Sequence, residues 1–297
     1  MIMKKISVIG AGTMGNGIAH CFAQKEFEVY LVDLSNENLK NAKATIEKNL
    51  DRMIKKSIIT QKEKEDTISR IHFYEQIGEC VQNSDLVIEA VTESKKVKLD
   101  IFKKLDLLCN KETILASNTS SISIADIASA TTRQDKVIGM HFMNPVPIMK
   151  LVEVIKTKQT SQETIKTIMD LSCFLGKNPV LVNDSPGFVA NRILLPMINE
   201  AIHTLSEKVS GVSEIDTVMM LGMSHPMGPL QLADFIGLDV CLSILEVLHE
   251  GFGDIKYQPS KLLKEMVENG ELGVKNQLGF YDYSNGMKEK TVNKRFN

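Results

Sequence analysis

The sequence has no tryptophan, only five cysteines and a net charge of −2. The cysteines lie singly along the chain without a C-x-x-C pair, which argues against a disulfide framework or a structural zinc site and fits a reducing compartment. The nearly balanced charge gives no field that would recruit nucleic acid or a membrane surface. The opening stretch MIMKKISVIGAG has too short an apolar run for an export signal or a membrane helix. We therefore expect a cytoplasmic protein with no nucleic-acid partner, no membrane partner and no metal.

The 297 residues, of which 43% are hydrophobic, are enough for one large or two moderate domains. Short runs of Val, Ile and Leu alternate with helical patterns in the first half, which is typical of βαβ units and of a parallel sheet covered on both faces. We predict strands at residues 6–10, 28–33, 85–91, 113–118, 136–142, 151–155 and 179–182, the last two at an antiparallel edge.

The pattern changes at Ser185-Pro186-Gly187, a cluster of residues that break regular structure. Helical periodicity dominates after it, at residues 212–221, 229–248 and 260–269 and in RILLPMINEAIHTLSEK, where Pro196 should kink the helix. The prediction is an α/β fold: a mostly parallel Rossmann-type domain over residues 1–185 and an all-α domain over residues 186–297. The polar tail from Asn285 is expected to be frayed.

The stretch VIGAGTMGNGIAH contains G-x-G-x-x-G between a predicted strand and a predicted helix. The first glycine allows a tight turn, the second lets the backbone approach a pyrophosphate, and the third lets helix pack on strand. The helix N-terminus adds amide donors for the phosphates. Asp33 ends the next strand about 20 residues further on, where an acid binds the adenosine ribose and repels a 2′-phosphate. The loop therefore predicts NAD binding; a structural turn with a surface Asp is the alternative. The predicted loop residues are Gly10, Ala11, Gly12, Thr13, Met14 and Gly15.

A histidine and a glutamate follow in an arrangement that suits acid–base chemistry. His141 lies at the end of the apolar run KVIGM, and Glu153 lies on the next predicted strand, beyond an Asn-Pro-Val-Pro turn. Catalytic groups in nucleotide-binding folds lie at the carboxyl ends of the strands. There an imidazole can take a proton from an alcohol, and a neighbouring carboxylate can fix its tautomer. The alternative, a packing histidine with Glu153 on a solvated edge, stays open.

Three further polar features have two interpretations each. The hydroxyls of SNTSS (residues 117–121) follow a predicted strand and could face a substrate, or they could precede a helix capped by Ser123 or Asp126. Asn191, in an otherwise apolar helix, suggests an interdomain hydrogen bond or a substrate contact. The basic run around Lys56 is either a solvated helical face or a site for a phosphorylated substrate handle.

Taken together, these motifs resemble the 3-hydroxyacyl-CoA dehydrogenase family, most closely its bacterial (S)-3-hydroxybutyryl-CoA dehydrogenases. The resemblance covers essentially the whole chain up to GFYDYS. It depends on VIGAGTMGNGIA, DLVIEAVTE, ILASNTSS, KVIGMHFMNPVPIMKLVEV, PGFVANRILLPMINEA, HPMGPLQLADFIGLD and GFYDY.

The resemblance implies a role for each motif. His141 matches the catalytic base and Glu153 its orienting acid, while Ser120 and Asn191 match residues that contact the substrate's 3-oxygen and the nicotinamide region. The glycine loop and Asp33 would hold NAD. Further cofactor-binding positions match Glu93, Lys98, Ser120, Asn144 and Lys275, and the position that contacts coenzyme A matches Lys56. The helical domain would form a homodimer.

Two other functional classes share part of this pattern. A dehydrogenase of free hydroxy acids or sugar acids would keep the glycine loop and the His–Glu pair but would have little use for Lys56. A non-catalytic NAD sensor would need only the glycine loop and Asp33. A structural protein with a vestigial nucleotide fold fits least, because each chemical position carries a competent residue.

Overall fold

An eight-stranded sheet organises the first part of the protein in a computed structural model that describes residues 3–296. The strands are β1 (Lys5–Ile9), β2 (Glu28–Val32), β3 (Ile71–Tyr74), β4 (Leu86–Glu89), β5 (Ile114–Ser117), β6 (Val137–Phe142), β7 (Leu151–Lys156) and β8 (Asn178–Asn183). Their order is β3-β2-β1-β4-β5-β6-β7-β8, and every neighbouring pair is parallel except β6 with β7. The predicted mostly parallel sheet with an antiparallel edge is therefore confirmed.

Helices cover the sheet between its strands: α1 (Thr13–Gln24), α2 (Asn36–Lys55), α3 (Gln61–Ser69), α4 (Glu79–Gln82), α5 (Lys95–Leu108), α6 (Ile124–Ser129) and α7 (Gln162–Phe174). Several of these helices begin at a Ser or Thr whose hydroxyl accepts a hydrogen bond from an otherwise unpaired backbone amide of the first turn. The Ser35 side chain accepts from the Asn38 amide at the start of α2, and Thr60 forms a capping box with Glu63 at the start of α3. The central strands β4 and β6 are buried along their whole length, which explains why their sequences are continuous apolar runs.

The chain divides into two compact units, residues 1–185 and 186–297, and each has its own hydrophobic core. In the first unit, side chains such as Ile6, Phe22 and Leu31 join α1 to the sheet. In the second, Leu195 of a long helix packs with residues such as Phe280 near the C-terminus. Burial of apolar surface in each unit is the main stabilising contribution to folding.

The second unit is helical, as predicted. Its helices are α8 (Ala190–Ser206), α9 (Val212–Thr217), α10 (Pro229–Ile236), α11 (Leu238–Phe252) and α12 (Lys261–Glu268), with a π-helical turn at Val218–Gly222. A two-stranded pair, β9 (Tyr281–Asp282) with β10 (Thr291–Val292), adds to these helices. Pro196 lies inside α8. Gly237, with a φ of +101°, separates α10 from α11 where the sequence pattern favoured one continuous helix.

Two expectations from the sequence were wrong. Strand β3 was missed because it is a short edge strand, IHFY, in which only Ile71 is fully buried. The tail expected to be frayed is packed: the rings of Phe280 and Phe296 stack with centroids 5.8 Å apart, and Asn293 is buried. Arg295 also forms ion pairs with two glutamates of the second unit. The polar composition of the tail gave no indication of these tertiary contacts.

Across residues 3–296, no helix combines the length and the apolar character that crossing a membrane requires.

Candidate active site

The carboxyl ends of β1, β4, β5 and β6 lie side by side and are joined by hydrogen bonds. The Ala90 amide donates to the Ile9 carbonyl at 2.7 Å, and the Asn118 amide donates to the Glu89 carbonyl at 2.8 Å. The side-chain oxygen of Asn118 then accepts from the Phe142 amide at 2.9 Å. Since Phe142 follows His141, the glycine loop, the SNTSS stretch and the histidine all lie along one edge of the sheet.

The glycine loop has the backbone geometry that its sequence predicts. Gly10 has a φ of +102°, and a Cβ there would lie 2.5 Å from the Ala90 carbonyl oxygen. A Cβ on Gly15 would lie 1.7 Å from the Gly10 oxygen, so the close packing of helix on strand requires glycine. Gly12 precedes α1 without a side-chain cap, and a Cβ there would meet nothing within 4 Å. The open amides of this helix N-terminus are suited to bind phosphate.

Asp33, just beyond β2, lies against this loop. Its Oδ2 accepts from the Ala11 amide at 2.8 Å, and its Oδ1 accepts from the Ser35 amide at 2.9 Å. A cavity of about 730 Å³ opens beside it, with Gly10, Gly12 and residues 90–92 in its wall. The space at Gly12, the uncapped helix N-terminus and the carboxylate at the cavity together fit the adenosine and pyrophosphate parts of a dinucleotide. Thr13 and Met14 form the first turn of α1.

His141 and Glu153 are cross-strand partners in the antiparallel pair β6–β7. Nδ1 of His141 lies 2.8 Å from Oε2 of Glu153, and both side chains are buried. Since a carboxylate can only accept, Nδ1–H is the donor, which assigns the imidazole tautomer. The contact holds the imidazole in one orientation, and Glu153 is buried instead of lying on a solvated edge.

Ser120 lies in a turn organised by Glu93. The Glu93 Oε1 accepts from the Thr119 hydroxyl at 2.5 Å, the Ser120 amide at 2.9 Å and the Ser121 amide at 3.1 Å. Burial opposes ionisation of Glu93, but the Lys98 ammonium and these hydrogen bonds outweigh it and hold the pKa of the carboxyl below its usual value. The structure therefore brings Glu93 and Ser120 together.

One buried carboxylate of this edge was missed from the sequence. Glu89 ends β4 fully buried, and Ser117 ends β5; Ser117 Oγ donates to Glu89 Oε2 at 2.6 Å. The signal was a carboxylate closing the apolar run DLVIE, which only a buried partner can stabilise. That partner is Lys98, whose side chain is 1% exposed.

The remaining site predictions are at the far end of α2, in the loop that follows β6, or in the other unit. Lys56 is exposed at the C-terminus of the 20-residue helix α2, about 30 Å along the helix from its start near Asp33. Asn144 is exposed in the loop between β6 and β7. Asn191 lies in the first turn of α8, and Lys275 forms an ion pair with Asp239, all within the second unit. Among the described residues, no cluster of three or more His, Cys, Asp or Glu side chains is arranged to hold a metal ion.

Comparison with known proteins matches both units. The model of the 3-hydroxyacyl-CoA dehydrogenase NAD binding domain matches residues 5–185, and that of the 3-hydroxyacyl-CoA dehydrogenase C-terminal domain matches residues 187–283. A probable 3-hydroxybutyryl-CoA dehydrogenase of Bacillus subtilis (strain 168) is 52% identical over 283 residues, which cover 95% of this chain and 98% of that protein. The 3-hydroxybutyryl-CoA dehydrogenase of Bradyrhizobium diazoefficiens is 51% identical over 282 residues, which cover 95% of this chain and 96% of that protein.

A solved structure gives the same result. The crystal structure of (S)-3-hydroxybutyryl-CoA dehydrogenase from Ralstonia eutropha matches with a TM-score of 0.91 and 47% identity, covering 95% of this chain and all (100%) of that one. The glycine loop with Asp33 fits the NAD-binding assignment of the first family model. The chain is an NAD-dependent oxidoreductase that belongs to the 3-hydroxyacyl-CoA dehydrogenase family.

Proposed function

We propose that the protein is an (S)-3-hydroxybutyryl-CoA dehydrogenase that uses the His141–Glu153 pair as its general acid and base. The reversible reaction is (S)-3-hydroxybutyryl-CoA + NAD⁺ → acetoacetyl-CoA + NADH + H⁺. The observation that carries the proposal is the buried 2.8 Å contact between the two side chains at the edge of the nucleotide-binding sheet. The names of the relatives support the short acyl chain.

The histidine moves the proton of the 3-hydroxyl group. In the oxidation, Nε2 of His141 takes that proton while Nδ1–H stays hydrogen-bonded to Glu153. The carboxylate stabilises the imidazolium that forms, and burial of the pair strengthens this attraction relative to water. In the reduction, the imidazolium returns the proton to the developing alkoxide. Bound NAD supplies the hydride acceptor, held by Gly10, Gly12, Gly15 and Asp33.

Ser120 would hold the substrate oxygen that exchanges this proton. Its turn follows β5, next to the β6 strand that carries His141. The Ser120 amide is held by Glu93, so the serine is presented on a fixed backbone. Fixed donors aimed at a reacting oxygen lower the barrier because they need no reorganisation during the reaction. The predicted roles of Asn191, Asn144, Lys98 and Lys275 in substrate or cofactor binding stay predictions.

Lys56 would bind the coenzyme A handle. It lies with Lys55 and Arg52 in an exposed basic group at the end of α2. Such a group attracts the phosphates of coenzyme A. Coenzyme A is a long phosphorylated handle that can extend from the reacting group to such a surface, whereas a small free acid would have no use for Lys56.

The second unit would form a homodimer. The segment around the π-helical turn carries large apolar side chains in solvent: Val218 is 61% exposed, Leu221 80% and Met223 61%. Contiguous exposed apolar residues of this kind mark interaction surfaces. A Leu221→Glu variant that still sedimented as a dimer would argue against this interface.

One set of assays tests the function. Oxidation of NADH and NADPH should be measured with acetoacetyl-CoA, a longer 3-ketoacyl-CoA and free acetoacetate in parallel. We expect turnover with NADH and acetoacetyl-CoA to exceed every other combination. Preference for the free acid would favour a hydroxy-acid dehydrogenase, and NADH binding without turnover of any thioester would favour a sensor.

A further inference from the structure

A buried ion cluster lies beneath the Ser120 turn, made of Glu89, Lys98 and Glu93. Lys98 is in the first turn of α5, and its ammonium lies 2.6 Å from Glu89 Oε1 and 3.2 Å from Glu93 Oε2. The side chains of Glu89 and Lys98 are 0% and 1% exposed, whereas that of Glu93 is 37% exposed. One cation is therefore shared by two carboxylates, and only one of these carboxylates reaches solvent.

Both carboxylates also hold the segment that contains Ser120. Glu93 uses its other oxygen, Oε1, to accept from Thr119, Ser120 and Ser121. Glu89 Oε2 accepts from the Ser117 hydroxyl at 2.6 Å, and the Ser117 oxygen accepts from the Thr119 amide at 3.2 Å. The two carboxylates thus fix the turn through short, charge-assisted hydrogen bonds: Glu93 binds it directly, and Glu89 acts through Ser117.

Lys98 is what allows the two carboxylates to remain side by side. Without the cation, the carboxylate of Glu93 would repel that of Glu89, and the buried Glu89 would have no charge to replace its lost solvation. If the ammonium were removed, Glu93 is the partner that would move, because its side chain already reaches solvent. Its movement would release the donors of three consecutive residues, Thr119 to Ser121, and loosen the turn around Ser120.

We propose that Lys98 and Glu89 are positioning residues: they lock Glu93 in place, and Glu93 fixes Ser120 against the substrate oxygen. Lys98 then acts through the serine turn, since its ammonium is held by two carboxylates and makes only one longer contact, 3.4 Å, with the Val91 carbonyl beside the cofactor cavity. This inference rests on the role of Ser120 in the proposed function. The predicted assignment of Lys98 to cofactor binding is the competing explanation.

A double-mutant cycle distinguishes a positioning role of Lys98 from a role in cofactor binding. Lys98→Met, Ser120→Ala and the double variant should be compared for kcat, for KM with acetoacetyl-CoA, for NADH affinity by fluorescence titration and for Tm. We expect each single variant to lose about 10- to 100-fold in kcat. The double variant should stay within about twofold of Ser120→Ala alone, because the lysine has no further target once the hydroxyl is gone. NADH affinity should be essentially unchanged.

Asp106→Asn provides the matched control. Asp106 forms a buried ion pair with Arg133 at 2.7 Å, further along the same helix α5 by roughly 12 Å. The variant should lower Tm, and any loss of kcat should multiply with that of Ser120→Ala. Glu89→Gln, which keeps the side-chain shape, serves as a second variant if Lys98→Met does not fold. Glu89→Gln should lower kcat less than Lys98→Met does, and it should cause no further loss of kcat when it is combined with Ser120→Ala.

Three outcomes would overturn the inference. Losses that multiply between Lys98→Met and Ser120→Ala would show that the lysine acts elsewhere, although the proposed role of Ser120 would stand. Weaker NADH binding with a normal kcat at saturating NADH would assign Lys98 to the cofactor. A Ser120→Ala enzyme with normal kcat would remove the serine from the mechanism, and the positioning role would fail with it.

Discussion

Glu153 lies 2.8 Å from His141 because the two residues face each other across neighbouring antiparallel strands. They are 12 residues apart in sequence, and the loop between them folds the second strand back on the first. Backbone hydrogen bonds between β6 and β7 therefore set the contact, not the side chains alone. A pair placed by a strand register is well suited to hold a catalytic imidazole in one orientation.

Replacing the imidazole of His141 should remove most of the activity without affecting NADH binding or stability. His141→Gln should lower kcat by about 10²- to 10⁴-fold, because general acid–base catalysis contributes roughly that much. NADH affinity and Tm should remain close to wild type. His72→Gln is the matched control, since His72 also contacts a glutamate, Glu28, at 2.8 Å, but on the edge strand β3. Normal turnover by His141→Gln would exclude the histidine as the acid–base group.

Removing only the charge of Glu153 should lower kcat. In Glu153→Gln the amide oxygen can still accept from Nδ1–H of His141, so the orientation is kept, but the imidazolium that forms during the reaction loses its neighbouring anion. Because a hydrogen bond to a charged group is replaced by a neutral one, kcat for acetoacetyl-CoA reduction should fall about 10- to 100-fold. NADH affinity, measured by fluorescence titration, should stay close to wild type. A normal kcat would reduce Glu153 to a structural role.

Asp33 should set the preference between the two cofactors. Asp33→Asn removes the charge that repels a 2′-phosphate and weakens the hydrogen bonds offered to a ribose. The ratio of kcat/KM for NADH to that for NADPH should fall roughly 10-fold or more. Asp85→Asn is a suitable control, because Asp85 also accepts from backbone amides, those of Lys4 and Lys5, at the opposite edge of the sheet. An unchanged ratio in Asp33→Asn would contradict the assignment.

The features predicted from the sequence are those that local chemistry determines. A glycine with a positive φ, as at Gly10, is needed wherever the turn occurs, so the motif together with Asp33 after the next strand indicates the nucleotide loop. The contact of His141 with Glu153 could be anticipated as one of two alternatives, because the second strand had to fold back beside the first, but the strand register decides it. Lys98 was assigned to the cofactor by resemblance, but its burial depends on Glu89 and Glu93, which come together only in the folded chain.

The errors have the same origin. The tail after Asn285 has a polar sequence. Its order depends on tertiary contacts such as that of Phe296 with Phe280, and hydrophobic periodicity does not reveal such contacts. Strand β3 is too short and too exposed for an apolar pattern to indicate it. Tertiary partners, not local propensity, decide both segments.

A buried carboxylate outside the active site anchors the chain near the C-terminus of the second unit. Asp234 of α10 accepts from the Phe280 and Tyr281 amides, both at 2.9 Å, and from the Tyr283 hydroxyl at 3.1 Å. Burial raises the pKa of this carboxyl to about 7, despite these hydrogen bonds, and the nearby Asp216 adds to the effect. Burial raises the pKa of Asp216 as well.

Stability should therefore decrease as the pH rises towards neutrality. The ordinary pKa of the carboxyl is 3.8 and the folded value is about 7, so between them the folded state binds more protons than the unfolded state. That proton-linked stabilisation amounts to at most about 4 kcal/mol, and it is lost as the pH rises through the folded value. Tm should fall between pH 5 and pH 8, and Asp234→Asn, which cannot titrate, should show a flatter profile. Asp282→Asn, at a half-buried neighbour in β9, should keep the wild-type slope. An equal slope in the wild type and in Asp234→Asn would show that Asp234 does not titrate in this range.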